Sequence, residues 1–371
     1  MSRIIAGADH SYLDKYREMQ NTRTGKLLFT KVRGCFCGLL CTDNRIRAVQ
    51  VLSKKNSKVG AVYVGKVKNI VKNIDACFVE IEDKELCFLP LREATDAHFM
   101  NRPADGRILE GDEILVQVSR DAQKTKQASV TTKVNLTTEE LEKASHRVCF
   151  SCVKEAPPAF LSVLEDMVKP EEYDEIVTDD PIFYEVLKNY LTERIRSMAN
   201  VVQTGERPGV EMQQGDLQEK KLRFYDDKTF SLSKLYALEA KLETALDKRV
   251  WLNNGGYLVI EPTEAMTVID VNSGKFDAKK STQETIFKIN CEAAAEIALQ
   301  LRLRNLSGII LVDFINMKEK EDQKALLEYL KSLVGNDILK TVVVDMTPLG
   351  LVEITRKKKL KTLREQFAAE K

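Results

Sequence analysis

Carboxylates that close apolar, strand-like runs are the residues of this sequence best suited to chemistry. Asp270 ends the run MTVID, Asp313 ends IILVD, and Asp345 ends VVVD. An unpaired carboxylate is expensive to bury, whereas the carboxyl ends of strands in open α/β sheets are where ligands bind. We therefore expect Asp270 and Asp313 at one edge of a sheet, where Asp345 could join them.

The chemistry that such a pair favours is the binding of a divalent cation. Mg²⁺ prefers oxygen ligands, usually one or two carboxylates completed by waters and phosphate oxygens. Asn272 and Ser273 add neutral polar groups for a phosphate or an attacking water, and Gly274 would let the backbone approach closely. The residues alone leave a second interpretation open, in which aspartates at strand ends cap turns or helices.

The last third of the chain has the pattern of a layered α/β domain, which would position these acids. Strand-like runs such as GGYLVIEP, AMTVID, GIILVDF and KTVVVDM alternate with helical periodicity at about 283–304 and 318–334. The basic run TRKKKLKTLR is expected to lie on a final helix. Its charge fits a solvated helical face or an added RNA contact.

A second region, about 58–134, has many short strands separated by turn residues, which predicts a small five-stranded barrel. Its first strand carries Lys66 and Lys68 within a stretch, 51–73, that has no acidic residue. Phe78 and Phe88 follow in the next strands. They are either core side chains or solvent-facing rings that stack on bases, as in OB-type barrels.

Composition restricts the remaining possibilities. The chain has 371 residues, 43% hydrophobic and 30% charged, with a net charge of +1, which is typical of a soluble protein of two or three domains. No signal-peptide core and no apolar run of membrane-spanning length occurs, so we expect a cytoplasmic protein. Three histidines, all far in sequence from the acids, make histidine triads poor candidates, and no GxxxxGK[ST] loop is present.

The cysteines fit free, buried thiols in a reducing compartment better than a disulfide framework. There are eight, and most lie inside apolar runs. Cys149 and Cys152 form a CxxC pair, but a zinc site would need a second ligand pair at comparable spacing.

Three long motifs resemble the ribonuclease E/G family of endoribonucleases that cut single-stranded RNA. They are GGYLVIEPTEAMTVIDVNSGKF, then ETIFKINCEAAAEIALQLRLRNLSGIILVDFINMK, then LGLVEITRKKK. The earlier GAVYVGKVKNIVKNIDACFVEIEDKELCFLPLREA is similar to the OB-type RNA-binding barrel of that family. The resemblance covers about 26–134 and 222–365.

The resemblance implies a role for each matching residue. Asp270 and Asp313 would be catalytic ligands of one Mg²⁺, for which Mn²⁺ can substitute, and Asn272 would belong to the same catalytic motif. Products would carry 5′-phosphate and 3′-hydroxyl ends, in the processing or decay of RNA, including ribosomal RNA. The RNA-binding residues it implies, together with the basic first strand, are Phe78, Phe88, Lys126, Lys66 and Lys68.

The resemblance also implies a multidomain fold that combines α/β and all-β parts. An OB-fold barrel, 58–134, would be inserted in a ribonuclease-H-like domain formed by 26–57 and 222–262. A deoxyribonuclease-I-like catalytic domain, 263–371, would follow. Residues 1–25 would be an extension, and 135–221 a reduced 5′-sensor-like region and linker.

The sequence departs from the family pattern in three places. No VRTA-like 5′-sensor motif occurs in 136–221, no CPxCxGxG zinc-link follows TRKKK, and Asn316 occupies a position where the family usually has an acid. We therefore expect no zinc and no zinc-linked oligomer, but a monomer or weak dimer that binds single-stranded RNA. The alternative is a catalytically silent RNA-binding regulator or scaffold derived from the same family.

Overall fold

The computed structural model describes residues 24–42, 45–52, 57–94, 96–122, 126–204, 221–274 and 283–370, with backbone alone for 193–204. The chain forms two compact units, one of residues up to 52 and from 162 onward, the other of residues 53–161. The predicted extension up to residue 23, residues 205–220 of the predicted sensor-like region and linker, and Lys54 and Lys55 lie outside the described residues.

The first unit begins with an antiparallel meander. Its strands are β1 (Gly25–Val32), β2 (Cys35–Thr42) and β3 (Arg45–Val51). Strong apolar content on both faces buries nearly all of β1 and β2.

The second unit contains the predicted barrel. Strands β4 (Val62–Val71), β5 (Ala76–Glu80), β6 (Leu86–Pro90), β7 (Glu113–Arg120) and β8 (Ser129–Thr131) close into a ring, because β4 pairs with both β5 and β7. A short strand, β9 (Cys152–Lys154), adds to β4. Cys77, Val79, Cys87 and Leu89 fill the interior with the apolar residues of β4 and β7.

The chain then returns to the first sheet. Strands β10 (Tyr173–Thr178) and β11 (Lys221–Phe224) complete the order β11-β10-β1-β2-β3. The barrel segment is therefore an insertion between strands of one sheet. The helices up to this point are α1 (Thr138–Ala144), α2 (Ala159–Asp166) and α3 (Pro181–Thr204).

Helix α3 begins directly after Asp180. Asp180 accepts a hydrogen bond from the Phe183 backbone N–H at 2.9 Å, and Pro181 occupies the first turn, where a missing N–H costs nothing. Short 3₁₀ helices elsewhere cover Lys72–Ile74, Glu82–Lys84, Leu91–Glu93 and Pro170–Glu172. No helix in the described ranges is both long and apolar enough to span a bilayer.

A six-stranded sheet follows, in the order β12-β13-β14-β15-β17-β16. Its strands are β12 (Arg249–Trp251), β13 (Tyr257–Pro262), β14 (Met266–Asn272), β15 (Gly308–Asp313), β16 (Thr341–Met346) and β17 (Leu351–Arg356). The accompanying helices are α4 (Leu232–Leu235), α5 (Leu238–Leu246), α6 (Gln283–Leu303), α7 (Lys320–Val334) and α8 (Leu363–Ala369).

The two faces of this sheet differ sharply. Residues such as Ile269, Ile310 and Val352 point to one face and form a single core with apolar residues of α6 and α7. Alternate residues of the same strands point to the other face and are half-buried or exposed. We call this second side the open face.

Two sequence expectations differ from what the structure shows here. The boundary expected at residue 262 falls inside the six-stranded sheet, because β13 pairs along its length with β14. The basic helix expected from Arg356 onward is shorter, since Arg356 ends β17 and α8 spans only Leu363–Ala369. Alternation of buried Val352, Ile354 and Arg356 makes that segment a strand.

Arg356 is buried at the end of β17, where hydrogen bonds and one carboxylate compensate its charge. Its side chain is 3% exposed, and its Nε donates to Asp337 Oδ2 at 2.6 Å. A second nitrogen donates to Asn305 Oδ1 and to the Leu306 carbonyl. The guanidinium thus joins β17 to the turns that follow α6 and α7. Burial raises the pKa of Asp337, but the hydrogen bond and charge of Arg356 outweigh it and hold that pKa below its usual value.

We predict that Asp337→Ala lowers the free energy of unfolding by about 3–5 kcal/mol, because it leaves a buried guanidinium without its charged partner. Urea unfolding measures this, with Glu328→Ala as the control: it breaks an exposed pair with Lys331 and should cost less than about 1 kcal/mol. The folded-state pKa of Asp337 is lowered, so its contribution is present at neutral pH and is lost as pH falls below the usual aspartate pKa. Equal losses in both variants would contradict this assignment.

Candidate active site and nucleic-acid interface

The two predicted acids lie side by side on the six-stranded sheet. Strands β14 and β15 are parallel, and Asp270 is the direct register partner of Asp313. Neighbouring strands are about 4.8 Å apart, and paired residues point to the same face. Both side chains are exposed on the open face, at the carboxyl ends of their strands.

Asn272 completes this constellation. It lies two residues beyond Asp270 on the same face, and its Nδ2 donates to Asp270 Oδ2 at 2.7 Å. The hydrogen bond restrains the Asp270 carboxylate. The sequence prediction that Asp270, Asn272 and Asp313 share one edge of the sheet therefore agrees with the structure.

Asp345 does not join the pair. Strand β16 runs parallel to β15, so Asp345 lies at the same edge, but β17 separates the two strands. Two strand spacings amount to about 10 Å. Its Oδ1 accepts the backbone N–H of Met346 at 2.8 Å, as a local cap would.

The donor set of the pair suits a hard cation. It consists of two adjacent carboxylates with a neighbouring amide, all oxygen donors on an exposed surface, which matches the preference of Mg²⁺ for few protein ligands and several waters. Among the described residues, no group of three or more His, Cys, Asp or Glu side chains is placed to hold a metal. Cys149 and Cys152 are half-buried free thiols, and burial raises the pKa of both.

A glycine turn packs against the end of β14. Gly274 has a φ of 62°, and a Cβ placed on it would lie 2.1 Å from the Gly255 carbonyl oxygen. A Cβ on Gly256 would lie 2.8 Å from the Asn272 carbonyl oxygen. The close backbone approach that the sequence suggested at Gly274 is therefore between two segments of the chain, and it fixes the direction in which Asn272 leaves the strand.

On the barrel, Phe78 and Phe88 are direct register partners on β5 and β6. Their ring centroids are 6.0 Å apart with an edge-to-face tilt of 65°. Both are half-buried, while their sequence neighbours Cys77, Val79, Cys87 and Leu89 fill the interior. The rings thus lie on the outer side of the barrel, so the interpretation of these residues as core is wrong.

Two of the predicted RNA-binding lysines of the barrel, Lys66 and Lys68, form ion pairs with acids of the barrel. Lys68 pairs with Glu80 at 2.7 Å, and Lys66 pairs with Glu113 at 3.7 Å. The acids come from neighbouring strands, which is why the first strand alone looked uniformly basic. Lys126 is exposed, two residues before Ala128, whose carbonyl accepts the Phe88 backbone N–H.

Comparison with known proteins identifies the relatives of this chain. A sequence model described as the Ribonuclease E/G family matches residues 114–359. Ribonuclease E of Synechocystis sp. is 30% identical over 85% of this chain and 55% of its own length. Ribonuclease G of Haemophilus influenzae is 28% identical over 85% of this chain and 76% of its own length. This chain belongs to the ribonuclease E/G family. It spans about half the length of the cyanobacterial relatives it matches.

Within the segment that matches the ribonuclease E/G family, sequence reasoning missed a positioning residue. Asn290 on α6 is fully buried; its Nδ2 donates to the Ile315 carbonyl at 2.7 Å, and its Oδ1 accepts the Ile315 N–H at 3.1 Å. It therefore fixes the backbone two residues beyond Asp313. In the sequence, Asn290 could have been recognised as a polar residue between Ile289 and Cys291 on the apolar side of a predicted helix.

Arg120 on the barrel was missed as well. It pairs in register with Ser129, which pairs with Phe88. Its guanidinium donates to Ser129 Oγ at 2.8 Å, which brings an exposed cation next to the aromatic pair. In this member of the ribonuclease E/G family, the row Phe78, Phe88, Ser129 and Arg120 therefore combines stacking surface with positive charge.

We predict that the Asp270–Asp313 pair binds Mg²⁺ and that Gly274→Ala weakens this binding, because the added methyl group forces Gly255 and Gly274 apart and displaces Asn272. Gly34→Ala is the matched control: Gly34 also has a positive φ, 80°, but nothing lies within 4 Å of its added Cβ. Backbone strain alone should cost each variant about 1–2 kcal/mol. Titration calorimetry measures Mg²⁺ affinity, and equal affinity in the two variants would argue against this role of the turn.

Proposed function

We propose that this chain is a metal-dependent endoribonuclease that cuts single-stranded RNA in RNA processing or decay. The observation that carries the proposal is the register pairing of Asp270 with Asp313 on an exposed sheet edge. The similarity to proteins named Ribonuclease E and Ribonuclease G supports the same activity. Buried free cysteines agree with action in the reducing cytoplasm.

Asp270 and Asp313 would hold one Mg²⁺ through carboxylate oxygens. Bound there, Mg²⁺ supplies positive charge for the phosphate oxygens and lowers the pKa of a water. Asn272, held against Asp270, orients the phosphate or the attacking water. Attack at phosphorus breaks the bond to the 3′ oxygen, which takes up a proton, so the products carry 5′-phosphate and 3′-hydroxyl ends.

The barrel would bind the RNA strand. Phe78 and Phe88 offer an aromatic surface on which bases stack without sequence preference. Lys126 and Arg120 contact the phosphate backbone. The side chains of Lys66 and Lys68 are exposed while their partners Glu113 and Glu80 are half-buried, so both ammonium groups can contact phosphate from the solvent side.

We also propose a domain correspondence. The barrel would be the OB-type domain of the family, inserted in a ribonuclease-H-like domain built on the five-stranded sheet. The six-stranded sheet with α6 and α7 would be the deoxyribonuclease-I-like catalytic domain. The insertion of the barrel between β3 and β10 supports this assignment.

We predict that Asp270→Asn and Asp313→Asn each lower the rate of RNA cleavage by more than about 100-fold, because loss of even an outer-shell partner of a metal ligand costs about 10- to 100-fold. The assay uses a 5′-labelled, unstructured, A/U-rich RNA with Mg²⁺, and end analysis of the products. Asp345→Asn is the matched control and should leave the rate unchanged.

Three outcomes are informative. Cleavage that persists in both aspartate variants would refute the metal assignment. Cleavage that survives a chelator would refute metal dependence. Tight RNA binding by the unaltered chain with no cleavage would favour the regulator or scaffold over the nuclease.

We predict that Phe78→Leu weakens RNA binding by about 5- to 100-fold without changing its salt dependence, because it removes stacking but no charge. Phe78→Tyr keeps the ring and should restore affinity. Lys126→Gln should instead reduce the slope of log affinity against log salt by about one. Fluorescence anisotropy across a salt series measures both quantities. A change of slope in Phe78→Leu would contradict the stacking role.

A further inference from the structure

An exposed aromatic cluster with one arginine lies on the open face of the six-stranded sheet. Trp251 and Tyr257 are register partners on β12 and β13, with ring centroids 5.2 Å apart. The guanidinium carbon of Arg249 is 4.5 Å from the Tyr257 ring centre and 5.6 Å from that of Trp251. Trp251 is nevertheless 62% exposed.

This cluster is continuous with the proposed catalytic residues. Tyr257 is the register partner of Asn272, and Val259 is the register partner of both Arg249 and Asp270. Arg249 therefore lies about 10 Å, two strand spacings, from Asp270 on the same face. A nucleotide next to the bound phosphate would reach the cluster along the sheet.

The cluster contributes little to the fold but has the properties of a nucleic-acid site. A side chain as exposed as Trp251 gains little from burial, so core packing does not explain it. An arginine over aromatic rings is held in place by cation–π attraction while its N–H groups stay available to phosphate. Aromatic rings on an open sheet face, beside positive charge, are how sheets bind single-stranded bases.

A second copy of the chain is a less favourable occupant of this face. Because Arg249, Trp251 and Tyr257 share the open face with Asp270 and Asn272, a copy seated there would crowd the carboxylates. It would also need to balance the charge of Arg249 and the paired aspartates at once. RNA brings phosphate for the arginine and a base for the rings.

We propose that Arg249, Trp251 and Tyr257 form a base-stacking subsite for single-stranded RNA beside Asp270 and Asp313. The proposal rests on the proposed function for the identity of its ligand. The base stacks on Trp251 and Tyr257, the adjoining phosphate contacts Arg249, and the neighbouring phosphate lies over the aspartates. Stacking of this kind is tolerant of sequence.

The chain contains one tryptophan, so tryptophan fluorescence reports on Trp251 alone. We predict that an unstructured A/U-rich RNA quenches this fluorescence in the Asp313→Asn variant, which keeps the RNA intact during the titration. Anisotropy with labelled RNA should show that Trp251→Ala weakens binding by about 5- to 100-fold. Trp251→Phe, which keeps a ring, should bind nearly as the unaltered chain does.

The matched control is Val342→Ala, since Val342 is also exposed on the open face, at 42%, but on the far edge strand. It should leave RNA affinity unchanged. Urea unfolding should show that the Trp251 variants fold as stably as the control, because the side chain is exposed. A second comparison, also in the Asp313→Asn variant, uses RNAs with a single abasic nucleotide at successive positions. An abasic nucleotide at one position near the cut should weaken binding when Trp251 is present and should have no further effect when Trp251→Ala is added.

Several results would overturn the subsite. Unquenched fluorescence with bound RNA would do so, and so would equal affinities of Trp251→Ala and Val342→Ala. A second copy of the chain would be assigned to this face by two results together: the fluorescence changes with protein concentration alone, and sedimentation shows a dimer that Trp251→Ala abolishes.

If RNA quenches Trp251 but the unaltered chain never cuts RNA, the nuclease proposal fails and the subsite stands. If the chain cuts RNA with a KM that Trp251→Ala does not change, the subsite fails alone, and no RNA binding at all would refute both.

Discussion

The parallel pairing of β14 with β15 is the constraint on which the proposed site depends. It places Asp270 opposite Asp313, and like charges directly opposite each other on a sheet are destabilising. At about 5 Å their repulsion is about 1 kcal/mol in water and several times larger in a less polar setting. Exposure at the carboxyl ends of the strands keeps this repulsion small, and the cation that we propose for the site would neutralise it.

Burial fixes the register of that pairing. Thr267, Ile269 and Val271 point into the core, and Val268, Asp270 and Asn272 point out. A slip of one residue would drive Asp270 into the core formed with α6 and α7, which makes the native register strongly preferred. Helix α6 is the crossover that a parallel pair requires. Through Asn290 it also holds the chain just after Asp313, so one helix supports both the pairing and the geometry of its end.

Patterns within single elements were predictable from the sequence, and relations between elements were less so. Strand and helix periodicity located α6, α7 and the barrel strands closely, and the two strand-terminal acids followed from the rule for open sheets. Asp345 was expected near them because VVVD resembles the other strand ends, but no local signal says that β17 inserts between β15 and β16. The ion pairs of the β4 lysines were not predictable from β4 alone either, because their carboxylate partners, Glu80 and Glu113, lie on other strands.

The open face combines two properties that usually conflict. Carboxylates are stabilised by water or by a cation. The exposed apolar side chains of Trp251, Val268 and Ile309 would instead be stabilised by removal from water. A helix packed over this face would bury the apolar side chains but leave Asp270 and Asp313 without solvation. A single strand of RNA meets both requirements, because it brings a phosphate with its cation to the acids and flat, weakly polar bases to the apolar side chains. Within the described residues no layer covers this face of the sheet, and the ligand that we propose for it is itself both charged and aromatic.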